Sequence, residues 1–196
     1  MPYKDALDAN LASCLNSGYS PPLAARKVFG FTSSPVLQDA AISKPAFEIL
    51  NAVADRFAIP FRAVMVVGSG HTGYSYFKKR DFTLKISDLD LAIVDTRTFC
   101  RYSELAFNAT HGYSDLTSFK DSVQAESFKA YLTRGIFRPD KMPNCAARRD
   151  WFTYFGRLTM THSELFSSIN CGIYQSDVFF EAKQSSIVAE YQKVKA

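Results

Sequence analysis

The sequence lacks any close pairing of cysteines. Cys14, Cys100, Cys145 and Cys171 lie far apart, no CxxC occurs, and no Cys/His spacing suits zinc. This argues against a zinc module or a disulfide framework, and four reduced thiols are expected. Long apolar runs are missing too, so no segment is expected to span a bilayer. The first twenty residues, MPYKDALDANLASCLNSGYS, carry charges where a signal peptide would carry its apolar core. A soluble cytoplasmic protein is the expectation. No dense Lys/Arg patch occurs: 23 basic residues against 19 acidic ones give a net charge of +4 and a pI near 8.8. That balance does not mark a dedicated duplex binder. It leaves a nucleotide or nucleic-acid partner open. Internal repeats and low-complexity tracts are likewise missing.

What is present suits a packed interior. The chain is 47% hydrophobic and 21% charged, with 17 Phe and 10 Tyr. Its length of 196 residues fits one domain. Tyr3 to about Asn16 reads as an amphipathic helix, and SGYSPP punctuates after it. PLAARKVFG reads as a short helix stopped by Gly30. SKPAFEILNAVADRF reads as a longer one, capped by Ser43, with Pro45 in its first turn and Phe47, Leu50, Ala54 and Phe57 on one stripe. RAVMVVG then reads as a strand buried on both faces, and DLDLAIVD as a second strand. Beyond Asp95 the pattern turns helical, with SFKDSVQAESFKAYLTRG ending at Gly135. An extended piece, GIFRPDKMPN, leads to a helix with Ala147, Trp151, Phe155 and Leu158 on one side. SINCGIYQ alternates as a strand does, although a helix also accommodates it. One final helix is expected from Ser176 or Asp177, with Phe180, Ile187, Tyr191 and Val194 along it. The expected fold class is α+β, a small mixed β-sheet flanked by helices. Helical parts at about 1–58 and 96–196 would surround a core at 62–95.

The stretch Val66 to Asp95, VVGSGHTGYSYFKKRDFTLKISDLDLAIVD, carries the chemistry. Alternation along a strand puts Asp88, Asp90 and Ala92 on one face and Leu89, Leu91 and Ile93 on the other. The leucine face belongs to a core. Two carboxylates on the opposite face, two strand rises or ~7 Å apart, repel one another. A magnesium ion removes that conflict, because it takes one or two carboxylates together with phosphate oxygens. Upstream, Gly68, Gly70 and Gly73 let backbone amides approach a ligand, and Ser69 and Thr72 add hydroxyls. No Gly-Lys-Ser/Thr follows, so this is no Walker loop, and no helix is expected after Gly73 as a dinucleotide fingerprint would need. The basic run Lys78-Lys79-Arg80 can meet an acceptor or a leaving pyrophosphate, or simply form a solvated loop tip. His71 lies in the same loop.

Gly68-Ser69, then Gly73-Tyr74-Ser75, then Ser87-Asp88-Leu89-Asp90-Leu91 resembles the signature of the polymerase-beta-like nucleotidyltransferase superfamily. The match covers about Val64 to Asp95. The resemblance implies a nucleotidyltransferase-like fold that binds an NTP with Mg²⁺ or Mn²⁺. It implies transfer of a nucleoside monophosphate to a hydroxyl on RNA, protein or a small molecule. By that match Gly68, Ser69, Gly73 and Ser75 hold nucleotide, with Lys78 beside them, and Asp88 and Asp90 hold metal. Active members often carry a third carboxylate on a later strand. No apolar-Asp-apolar strand follows here, and Asp140 in GIFRPDKMP is the candidate. The segment from Tyr74 to Lys85 looks like an insertion, a short β-excursion rimming the site. The size fits the stand-alone members of bacterial toxin–antitoxin or phage-defence systems. The alternative expectation is a catalytically degenerate module that binds nucleotide or a protein partner.

Overall fold

The computed structural model describes residues 2–195. Its core is a four-stranded mixed sheet: β1 (Val64–Val67), β4 (Leu89–Val94), β6 (Ile169–Tyr174) and β5 (Ile136–Phe137), side by side in that order. β1 runs antiparallel to β4, β4 parallel to β6, and β5 antiparallel to β6. A two-stranded ribbon, β2 (Tyr74–Ser75) with β3 (Arg80–Asp81), projects between β1 and β4. It is the excursion expected from the sequence.

The alternation read in DLDLAIV sorts β4 between two apolar layers. Leu89, Leu91 and Ile93 join one cluster with Ile169, Cys171 and Ile173 of β6. Ala92 joins another with Val67 and Tyr174. The first layer is covered by α3 (Ala40–Phe57), α5 (Thr96–Ala109), α6 (Ser122–Leu132) and α7 (Ala146–Thr161). The second is covered by α1 (Pro2–Asn16), α2 (Pro21–Arg26), α8 (Asp177–Gln184) and α9 (Ser186–Lys195). Helices on both faces of a sheet bury its two apolar sides, so the β4 and β6 runs read as nearly continuous hydrophobic sequence.

Several helix limits differ from expectation. α3 begins at Ala40, with Asp39 rather than Ser43 as its cap; the Asp39 carboxylate accepts from the Ala41 N–H at 2.8 Å. Pro45 therefore lies inside the helix. The buried stripe is Ile42, Ala46, Ile49 and Val53, whereas Phe47 is 58% exposed and packs on Phe61 at the surface. Gly30 does not stop the second helix. The chain widens into a π-turn over Lys27–Phe31, where the Val28 carbonyl meets His71 Nε2 at 2.8 Å. The C-terminal helix is two helices. Ser185 and Ser186 turn their hydroxyls onto the carbonyls of Ala182 and Lys183, and the chain bends there. All four cysteines are free. Among the described residues no helix is long and apolar enough to cross a membrane.

Candidate functional site

β1 ends at Gly68, whose backbone (φ 60°, ψ −149°) is open to glycine alone. Its carbonyl accepts from the His71 and Thr72 N–H groups at 3.1 Å each, closing the single turn of α4 (Ser69–Thr72). The Thr72 hydroxyl lies 3.0 Å from the Gly68 carbonyl and 2.8 Å from that of Tyr74, so it braces the turn instead of facing a ligand. The register pairs Val67 with Asp90. A Cβ on Gly68 would lie 3.4 Å from Asp90 Oδ2. The glycine bend and the second aspartate are thus close neighbours, and a side chain at position 68 would meet Asp90.

Asp88 lies one residue before β4. Its Oδ1 accepts from the hydroxyls of Ser167 (2.7 Å) and Ser168 (3.1 Å), and its Oδ2 from Lys78 Nζ (2.9 Å). Lys78 reaches it from the tip of the β2–β3 ribbon. Burial pushes the Asp88 carboxyl up, but those three donors outweigh it and hold the group below its ordinary value. Asp90 is different. Among the described residues its Oδ1 has only the Asn170 amide, at 3.4 Å. Burial, joined by the charge of Asp88, raises its carboxyl above the usual range, although Asn170, Lys78 and Arg138 pull the other way. The pair therefore contains one well-satisfied carboxylate and one whose charge is poorly compensated.

A cavity of about 680 Å³ opens over this face, within the range of small-ligand pockets. Gly68, Ser69, Ser75, Lys78, Asp90 and Asp140 all line it. Asp88 stands outside its wall, linked to it through Lys78. Ser75 accepts from the Lys78 N–H at 3.1 Å and shapes the ribbon turn. Gly73 does not join the site: its φ is +77°, and the space a Cβ would need is filled by the Tyr3 ring of α1. His71 is buried against Val28 and Phe29, and burial lowers its pKa. It is part of the core, not of the cavity wall.

The expected third carboxylate takes a particular form. β6 lies beside β4, and the register sets Asn170 against Asp90. A neutral amide thus occupies the neighbouring position on the same face. Asp140 lines the cavity but is held by Arg138 through two bonds of 2.7 and 2.8 Å. Among the described residues no group of three His, Cys, Asp or Glu side chains gathers as a metal site. Asn170 and Arg138 were not singled out in the sequence. The alternation of SINCGIY already placed Asn170, Gly172 and Tyr174 on one side, and that was the available signal. Comparison with protein-family models, with curated proteins and with solved structures found no match to this chain.

Proposed function

We propose that this protein binds a nucleoside triphosphate with Mg²⁺ or Mn²⁺ and transfers the nucleoside monophosphate to a hydroxyl acceptor. The observation that carries this reading is the close approach of Asp90 to the Gly68 bend, where an added Cβ would lie 3.4 Å from Asp90 Oδ2. A bend with free approach to its backbone and Asp90 share one cavity, with Asp88 linked to its wall through Lys78. The sheet, with β1 antiparallel and β6 parallel to β4, is compatible with a nucleotidyltransferase-like fold. The donor set suits a hard divalent cation, since Asp88 and Asp90 offer carboxylate oxygens. The Lys78 ammonium, 2.9 Å from Asp88, compensates that carboxylate and leaves Asp90 without an ion-pair partner among the described residues. A bound metal held by these two residues would neutralise the triphosphate.

The chain's own groups do the rest. The Ser69 hydroxyl and the amides at the start of α4 donate to phosphate oxygens. Lys78, released from Asp88, pairs with the anionic ligand. The acceptor oxygen bonds to the α-phosphorus, the bridging bond to the β-phosphate breaks, pyrophosphate leaves, and the hydroxyl proton passes to solvent. We place the protein in the cytoplasm, where NTP is at hand, and a stand-alone enzyme of this size would suit a toxin–antitoxin or phage-defence system.

A second reading is favoured by Asn170 and by the pairing of Asp140 with Arg138. With no third carboxylate free to take the hydroxyl proton, the domain would hold nucleotide without turning it over. Incubation with α-labelled NTP, Mg²⁺ or Mn²⁺, and RNA or protein acceptors separates the two. Label transfer by the parent and not by Asp88→Ala or Asp90→Ala supports the enzyme. Nucleotide binding without transfer to any acceptor supports the module. Absence of any nucleotide-dependent thermal shift overturns both.

A further inference from the structure

From the free edge of β6 we infer that the acceptor of the proposed transfer is an extended polypeptide, bound as an added strand. The inference of its role rests on the nucleotidyl-transfer reading above; the binding itself does not.

Even-numbered residues of β6 turn their peptide groups toward β4. Ser168 accepts from the Leu89 N–H at 2.8 Å and Tyr174 from the Asp95 N–H at 3.1 Å. Odd-numbered residues therefore face the other edge. There Gln175 donates to Gly135 at 2.9 Å, and Ile173 is paired with Phe137. The same register would next set Cys171 against residue 139. That residue is Pro139, which has no N–H. Its carbonyl is turned to Arg148 at 3.2 Å. At the other end the Ile169 N–H is taken by the Thr159 hydroxyl of α7 at 2.9 Å. Between these two closures the Cys171 N–H and C=O have no partner among the described residues. Backbone groups without a protein partner must take one from solvent or from a ligand.

This gap opens into the cavity that contains Asp90, since Pro139, Cys171 and Thr159 line it too. Across the gap stands α7, where Gly156 has nothing within 4 Å of a Cβ and Phe152 is 45% exposed. The opening is a slot with one hydrogen-bonding wall and one apolar wall, which is what strand addition requires. A nucleic-acid backbone would need cations, and the two arginines that adjoin the gap are held by other groups; the lysines on the cavity wall are Lys78 and Lys183. Arg148 donates to the carbonyls of Pro139, Asp140 and Met142, and Arg138 is paired with Asp140.

Register also gives the added strand a purpose. Its residue opposite Cys171 takes the backbone bonds. The residues on either side of that one share a face with Asn170, hence with Asp90. Two strand spacings, ~10 Å, separate the added strand from β4. That leaves room for a phosphate and a hydroxyl side chain between them. The hydroxyl oxygen would bond to the α-phosphorus, pyrophosphate would leave, and the hydroxyl proton would pass to solvent.

The probe is reduced, carboxymethylated lactalbumin, an unfolded polypeptide, mixed with the full chain without nucleotide. Amide exchange read by mass spectrometry should slow in the segment 169–173. Gly156→Trp, which fills the slot, should weaken binding roughly tenfold or more, the scale of losing two backbone bonds. Gly156→Ala should bind as the parent does and controls for the helix. Unchanged exchange at 169–173, equal binding by the Trp variant, or protection of that segment by bulk tRNA instead would overturn the inference. A separate thermal-shift titration of the parent with MgATP tests the nucleotide reading, so either idea can fail alone.

Discussion

Replacing Asp90 with Asn should make the cation-free protein more stable, not less. Burial and the neighbouring Asp88 carboxylate raise the Asp90 carboxyl, and its one amide partner lies at 3.4 Å. Two carboxylates ~7 Å apart repel by about 0.6 kcal/mol in a water-like dielectric and by about 2.4 kcal/mol at an effective value of 20. Lys78 already neutralises part of the Asp88 charge, which lowers the net term to about 1 kcal/mol. For a chain of this size, that corresponds to a Tm rise of roughly 2–4 °C. The sign with pH follows. A carboxyl raised on folding destabilises the fold at pH values where it is ionised, so the advantage of Asp90→Asn is present at pH 7. It fades as acid protonates the parent's Asp90. Melting both proteins in EDTA and then in MgCl₂ tests this. Asp90→Asn should melt higher in EDTA, and Mg²⁺ should stabilise only the parent. A variant that melts lower than the parent in EDTA, or that keeps the Mg²⁺ response, refutes the reasoning.

Three further outcomes are expected. Asp8, whose side chain is 13% exposed, accepts from Lys4 at 2.7 Å and from the Tyr76 hydroxyl, tying α1 to the ribbon that carries Lys78. Burial pushes its carboxyl up, but these donors and Lys195 outweigh it and lower it. Asp8→Asn should cost about 1–3 kcal/mol at pH 7. Urea midpoints should show the gap narrowing below about pH 4, as the parent's Asp8 protonates. Gly73→Ala should cost about 1–3 kcal/mol, from its positive φ and the Tyr3 ring. Chemical denaturation in a Tyr3→Gly background, which also removes the Tyr3 Cβ, should recover the steric part alone. Trp151→Ala should cost about 3–5 kcal/mol by the same measurement, since Trp151 is 4% exposed and packs on Phe155, Tyr102 and Phe57.

The strands were more legible in the sequence than the helix limits. In DLDLAIV and SINCGIY the period of two sorts side chains between faces that are each covered by helices, so the pattern reflects tertiary burial directly. Helix starts depend on a single cap. Ser43 was the cap expected, and Asp39 is the cap found, because the helix runs back far enough to bury Ile42. The role of Gly73 was illegible for a different reason. Its occupant, Tyr3, is distant in sequence, and no local pattern announces that meeting. The same holds for Asn170, which becomes part of the site only when β6 is laid beside β4. Asp140 was chosen for its chemistry, but Arg138 two residues earlier claims both of its oxygens. The Lys78–Asp88 contact was likewise hidden, because the basic run read equally well as a solvated tip.

The central claim is that Asp88 and Asp90, set against the bend at Gly68, hold a divalent cation with a triphosphate. Electron paramagnetic resonance of free Mn²⁺, titrated against the protein and a non-hydrolysable NTP, tests it most directly. The account predicts depletion of the free-ion signal at one saturable site that needs both protein and nucleotide and vanishes in Asp88→Ala and Asp90→Ala. Depletion no greater than the nucleotide alone produces, or equal in those variants, would contradict it.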